Sequence, residues 1–148
     1  MSYRVEKLDW DLLSWVVEEA GPKMLTEEVG KPELYNKEHL YTLTIRAIED
    51  GTGLVGFKDD VPIGVLAALQ LPHFLNPNLS TLVEIVWYVL PEHREGRIGL
   101  MLLKAYKEMA EGVDYASLST LPSTPIKLTT LEKYGFSLKE YSMVLERN

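Results

Sequence analysis

The stretch from Val83 to Lys104, VEIVWYVLPEHREGRIGLMLLK, constrains the fold more than any other part of the chain. An apolar run holding a single carboxylate ends at Pro91, passes through a short loop with two glycines and two arginines, and then turns helical. Unbroken apolarity from Thr81 to Leu90 predicts an interior strand covered on both faces. Strand alternation directs Val83, Ile85, Trp87 and Val89 to one side, and Leu82, Val86, Tyr88 and Leu90 to the other with Glu84. A strand that feeds a helix through a glycine-containing turn leaves unpaired N–H groups at the helix start, where the dipole favours negative charge. The stretch therefore reads as a phosphate cradle.

The rest of the chain supplies a mixed set of elements around it. Residues 2–7 suit a first strand, and Asp9 is placed to cap a helix from Trp10 to about Ala20, with Leu8 and Leu13 as a hydrophobic staple. Gly21 and Pro22 are expected to stop that helix, leaving residues 23–35 as a loop with at most one helical turn, facing substrate. Asn36 predicts the N-cap of a second helix through Ile48, ended by Asp50 and Gly51. Residues 53–57 and 62–69 read as a hairpin turned at Lys58-Asp59-Asp60. His73 lies in the following connection, where an exposed loop histidine is the expectation. A helix from about Ile98 to Glu111 joins the interior strand to another at 115–121, which favours parallel pairing. Thr124 and Pro125 suit the start of a helix through Tyr134, closed by Gly135, and residues 137–146 suit the final strand or strands.

Composition narrows the function classes. With 148 residues, 46% hydrophobic and 25% charged, the chain suits one domain spanning residues 1–148 with a real core. A formal charge of −7 opposes a general grip on nucleic acid and attracts cationic partners instead. Without cysteine there is no disulfide framework, no thiolate metal site and no cysteinyl intermediate. The N-terminus has no apolar leader, and no apolar run approaches the ~20 residues needed to cross a bilayer. The expectation is a cytoplasmic protein with no nucleic-acid partner, no membrane partner and no metal.

Two rival phosphate-binding loops fail on spacing. A dinucleotide fold needs Gly-x-Gly-x-x-Gly, and a nucleoside-triphosphate loop needs Gly-Lys-Ser/Thr; only Gly96 and Gly99 are present. The element order, together with Val89-Leu90-Pro91 followed by Arg94-Glu95-Gly96-Arg97-Ile98-Gly99, resembles the GNAT superfamily of acyl-CoA-dependent N-acetyltransferases. Leu131-Glu132-Lys133-Tyr134-Gly135-Phe136 is similar to that family's C-terminal helix end. Arg97 stands where the first signature glycine is usual, with Gly96 one residue earlier. Leu131 stands where many members carry a tyrosine.

The resemblance implies an α/β fold: a central mixed, mostly antiparallel sheet of six to seven strands flanked by about four helices. It implies acetyl-CoA as co-substrate, with Val89, Leu90, Arg94, Glu95, Gly96, Arg97, Ile98 and Gly99 at the coenzyme, and a primary amine, on a small molecule or a protein, as acceptor. A homodimer is compatible with it. An N–H near Val89 or Leu90 would polarise the acetyl carbonyl. The arginines have a plain alternative as solvated surface charges, and Thr124, near the coenzyme's nucleotide end with Lys127, has one as a helix cap.

Acetyl transfer needs the amine to lose a proton, and Glu84 is the only carboxylate within the interior strand. Burial would raise its pKa toward that of a useful base; an ion pair with Arg46 is the structural alternative. With leucine at position 131, Tyr134 and Tyr88 are the nearest substitutes for a general acid, against ordinary core packing, and water can supply the proton. Direct attack in a ternary complex is the implied route. A catalytically silent GNAT-like module binding acyl-CoA or a protein is the competing class.

Overall fold

A two-residue turn and one long helical crossover set the sheet. The computed structural model describes residues 2–121, 126–140 and 142–147. Strands β1 (Tyr3–Lys7), β2 (Gly53–Lys58), β3 (Val61–Pro72), β4 (Ser80–Val89) and β5 (Tyr115–Ser117) lie in that order across the sheet. At the β2–β3 turn Asp59 takes φ of 55°, a left-handed conformation that aspartate tolerates. The first three pairings are antiparallel. β4 and β5 are parallel because the helix Ile98–Met109 carries the chain back between them.

The first helical stretch overturns one expectation. Asp9 caps it, its side chain accepting from the Asp11 N–H at 3.0 Å. Instead of stopping at Gly21-Pro22, helical turns continue to Val29 and end at Gly30, whose φ of 71° closes the stretch. Pro22 survives inside because the helix is locally widened. The Gly21 N–H reaches the Val16 carbonyl five residues back, and the Val17 carbonyl takes the Tyr35 hydroxyl at 2.8 Å. Pro22, having no N–H, leaves that carbonyl to an outside donor. Residues 23–29 are thus a helical wall rather than a loop.

The helix Lys37–Asp50 begins and ends as its residues dictate. Asn36 accepts from the His39 N–H at 2.9 Å, and Gly51 takes φ of 71°. Against this helix and the 10–29 stretch, one sheet face buries Val65, Ala67, Val86 and Tyr88. The opposite face buries Leu54, Leu66 and Leu82 against Leu102 and Tyr106. Gly56 makes that second packing close: a Cβ there would sit 2.5 Å from Ile98 Cγ1.

The C-terminal region departs from expectation. The last helix runs Leu128–Lys133, with Gly135 at φ 93° after it; the proposed start at Thr124-Pro125 lies outside the described residues. No described residue of 137–147 forms a strand, so the sheet has five strands among the described residues, not six or seven. β5 offers an edge of only three residues, a short template for another ladder. Among the described residues four helical regions flank the sheet, and no helix there is long and apolar enough to cross a membrane.

Candidate active site

The site forms where β4 loses its parallel neighbour. β5 pairs only through Thr81–Tyr115, Leu82–Ala116 and Val83–Ser117, so residues 84–89 have no strand partner on that side among the described residues. The buried Tyr106 hydroxyl donates to the Ser117 carbonyl at 2.9 Å and fastens the last paired position to the 98–109 helix. A bulge lies just beyond. Ala67 faces Val86 while Ala68 faces Glu84, making Ile85 the extra residue. The bulge corrects the simple alternation read from sequence: Leu82, Trp87 and Val89 join the core under the 98–109 helix, whereas Ile85, Val86, Tyr88 and Leu90 join the opposite one.

A cavity of about 190 Å³ wraps this free edge. Glu84 enters it from β4, Met24, Glu28 and Val29 from the helical wall, and Leu121 and Ile126 from the far side. Burial lifts the Glu84 pKa to about 7; a Ser119 backbone hydrogen bond opposes the rise and the Glu28 carboxylate adds to it. The alternative partner, Arg46, is elsewhere, donating to the Gln70 carbonyl at 3.1 Å and standing 3.6 Å from Asp50. Glu28 is also raised, chiefly by burial, with Arg94 pulling it down and Glu27 pushing it up.

The loop after β4 divides its donors. A short 3₁₀ turn over Pro91–His93 takes the Arg94 N–H on the Pro91 carbonyl, and the Gly96 N–H goes to His93. Arg97 is the N-cap residue of the next helix and no side chain caps that end, so its first turn keeps outward-facing amides. Ile98 is fully buried, anchoring the helix start on Gly56, and Gly99 lines the cavity. Glu95 and Arg97 are exposed, the latter's guanidinium 5.3 Å from the Tyr3 ring centre.

Arg94 points inward. Its Nε donates to the Val89 carbonyl at 2.9 Å, and its Nη2 lies 3.2 Å from Glu28 and 3.6 Å from Glu27. The Leu90 N–H donates to the Ile63 carbonyl at 2.9 Å and is therefore occupied. Neighbouring residues of a strand direct their amides to opposite sides, so the Val89 N–H faces the free edge.

The candidate acids are not brought to Glu84. Tyr134 ends the 128–133 helix and does not line the cavity, and Leu131 is buried at 6% exposure. The Tyr88 hydroxyl donates to Glu27, and burial raises its pKa, making it a weaker proton donor. Lys127 sits at the start of that helix without capping it through its side chain, and Thr124 is outside the described residues. His73 is half-buried, its Nδ1 accepting from Leu75 and its ring 5.3 Å from that of Tyr115. Glu28, Ser119, Leu121 and Ile126 were not anticipated from sequence. Glu28 had one signal: a helical reading through Val29 puts Met24 and Glu28 four residues apart on one face.

A family model described as "Acetyltransferase (GNAT) family" matches residues 10–136. No curated protein matches the sequence. Among solved structures, a predicted acetyltransferase with acetyl-CoA from Clostridium acetobutylicum is similar at 16% identity and a TM-score of 0.77, over 98% of this chain and 96% of that one. A GCN5-related N-acetyltransferase from Ralstonia eutropha JMP134 is similar at 20% identity and a TM-score of 0.73, over 97% and 99%. AAC(6')-Iy in complex with the bisubstrate analog CoA-S-monomethyl-acetylneamine is similar at 13% identity and a TM-score of 0.70, over 100% and 99%.

Proposed function

Because the chain belongs to the GNAT acetyltransferase family, we propose that it moves an acetyl group from acetyl-CoA to a primary amine by direct attack in a ternary complex. The observation that carries this reading is a coincidence at one free strand edge: an uncapped helix start adjoins a cavity holding a carboxyl group with a pKa of about 7. Amides of Arg97, Ile98 and Gly99 receive the coenzyme pyrophosphate, and Arg97 adds charge from solvent. Val89 offers its edge N–H to the acyl-pantetheine arm and its developing oxyanion, since the amide of Leu90 is occupied.

Glu84 accepts the ammonium proton, directly or through water, and the freed nitrogen attacks the acetyl carbonyl carbon. The tetrahedral intermediate then gives its second nitrogen proton to water as it collapses and the C–S bond breaks, and the coenzyme leaves as a thiolate that is protonated through that water. Tyr134 lies away from the cavity and Leu131 is apolar, so water protonates the thiolate. The same buried leucine favours the competing reading, a module that binds acyl-CoA without turning it over.

Acceptor-dependent release of free thiol from acetyl-CoA separates the two. The proposal expects release with at least one primary amine, and a loss of about 10²-fold in Glu84→Gln with coenzyme binding retained. Thermal stabilisation by coenzyme without thiol release across a broad amine panel would replace it with the binding module.

A further inference from the structure

Glu84 is held from outside its own strand, and its holder is in turn fixed by a buried hydroxyl. The Glu84 carboxylate accepts a hydrogen bond from the backbone of Ser119, two residues beyond the end of β5. Both residues line the cavity. No described residue from Leu118 to Leu121 belongs to a strand, so no ladder places that amide. The preceding peptide supplies the anchor. The Ser117 carbonyl accepts from the Tyr106 hydroxyl at 2.9 Å, and Tyr106 is fully buried on the 98–109 helix. Ser117 Oγ also donates across the strands to the Leu82 carbonyl at 3.3 Å. With the planar Ser117–Leu118 peptide gripped in this way, only the two dihedrals of Leu118 separate it from the peptide that carries the Ser119 N–H. Leu118 packs into the core beneath the same helix, which restrains them. Burial, and then the nearby Glu84 charge, raise the Tyr106 pKa, so the hydroxyl stays a donor.

Building on the acetyl-transfer reading, we infer that Tyr106 is a positioning residue for the base: through the Ser117 carbonyl it sets where the Ser119 amide meets the Glu84 carboxylate. It acts through the chain after β5 and not on the substrate. The helix that carries Tyr106 also begins with the uncapped amides assigned to the coenzyme, so one rigid element places both coenzyme and base. The Ser119 amide stabilises the ionised carboxylate, and loosening it raises the pH at which Glu84 ionises. The other charged described residues at this cavity are Glu28, whose charge raises the Glu84 pKa, and Arg94; both remain in a Tyr106 variant.

Carbon-13 NMR titration of the glutamate carboxyls in the full chain tests this without requiring turnover, the Glu84 signal being assigned by its loss in Glu84→Gln. Tyr106→Phe removes the donor and keeps the ring that stacks on Phe136 with 6.4 Å between centres. Its Glu84 midpoint is expected about 0.5 pH unit or more above that of the wild type. Leu118→Gly keeps the Tyr106 bond but frees the two intervening dihedrals; it is expected to raise the midpoint as well, and it tests the same path if Tyr106→Phe does not fold. Coenzyme affinity should stay unchanged in both, and the acid limb of the rate–pH profile should move with the midpoint. A wild-type midpoint in either folded variant, whatever its melting temperature, would overturn the inference. Raised midpoints in proteins that release no thiol with any amine would overturn the transfer reaction alone, and a rate profile that does not follow a raised midpoint would remove Glu84 as the base.

Discussion

The guanidinium of Arg94 lies 3.2 Å from the carboxylate of Glu28, joining the loop after β4 to the helical wall across the cavity. Its Nε simultaneously holds the Val89 carbonyl, and its face lies 5.3 Å from the Tyr88 ring centre. The loop's two arginines therefore differ in kind. Arg94 organises the cavity wall, while Arg97 stays exposed at the uncapped helix start.

Substituting them should separate stability from coenzyme affinity. Arg94→Met leaves Glu27 and Glu28 without their shared cation in a half-buried setting, at a cost of about 2 kcal/mol, or roughly 4–8 °C in melting temperature for a domain of this size. Arg97→Ala should leave melting nearly unchanged and weaken coenzyme binding by roughly 5-fold at low salt, an effect that fades as salt screens the pair. Melting curves and coenzyme titrations at two salt concentrations check both. Equal melting of the two variants would contradict the distinction.

Glu84 ties stability to pH through a raised pKa. In the unfolded chain a glutamate titrates near ~4.3, while in the fold this one titrates near 7. The folded state therefore holds its proton more tightly. Its contribution is full below the unfolded value and is lost as pH rises through about 7. The difference corresponds to roughly 4 kcal/mol at most. Glu84→Gln should thus melt above the wild type at pH 8, and the gap should close near pH 4. Turnover should run the opposite way, the wild-type rate rising through about pH 7 as the base ionises and the variant's staying low and flat. Parallel melting curves from pH 4 to 8 would sink the assignment.

Gly56 sets how closely the helix bearing the coenzyme amides approaches the sheet. A Cβ at that position would meet Ile98 Cγ1 at 2.5 Å and Cδ1 at 2.7 Å. Gly56→Ala should cost about 1–3 kcal/mol through overpacking and displace the helix start enough to weaken coenzyme binding. Ile98→Ala removes both clashing carbons, so adding Gly56→Ala to it should cost far less than in the wild type. Denaturant unfolding of the four proteins in that cycle gives the coupling; strict additivity would mean the glycine is not a packing seat.

Much of this architecture was legible because local chemistry and tertiary demand agree. Asp9 and Asn36 cap helices in the way their side chains favour, Gly51 closes one in the left-handed conformation, and the β2–β3 turn falls at Asp59. The Thr81–Leu90 run supplies most of β4, flanked on both sides at Thr81–Val83 and left with one free edge beyond them among the described residues, and the glycine-containing loop does lead to an uncapped helix start. Two features were hidden because they depend on partners distant in sequence. The bulge at Ile85 arises from register against Ala67 and Ala68, and it reassigns the faces of residues that period-two alternation had grouped together. The inward turn of Arg94 depends on Glu27 and Glu28, which reach the site only because the first helical stretch continues past Pro22.

That continuation rests on one hydroxyl. Pro22 provides no N–H, the Gly21 N–H is used on Val16, and the Val17 carbonyl is met by Tyr35 at 2.8 Å. Tyr35→Phe keeps the ring but leaves that carbonyl without its side-chain donor in a partly buried position, at a cost of about 1–2 kcal/mol. Pro22→Ala restores a backbone N–H within the same turns, so Tyr35→Phe should cost less in that background than in the wild type. Residues 24–29 carry Met24, Glu28 and Val29 into the cavity, so the single Tyr35→Phe variant should also raise the acceptor KM while leaving coenzyme affinity unchanged. Unfolding free energies and steady-state kinetics of the four proteins decide the matter: equal costs in both backgrounds would show that the hydroxyl does not compensate for the proline.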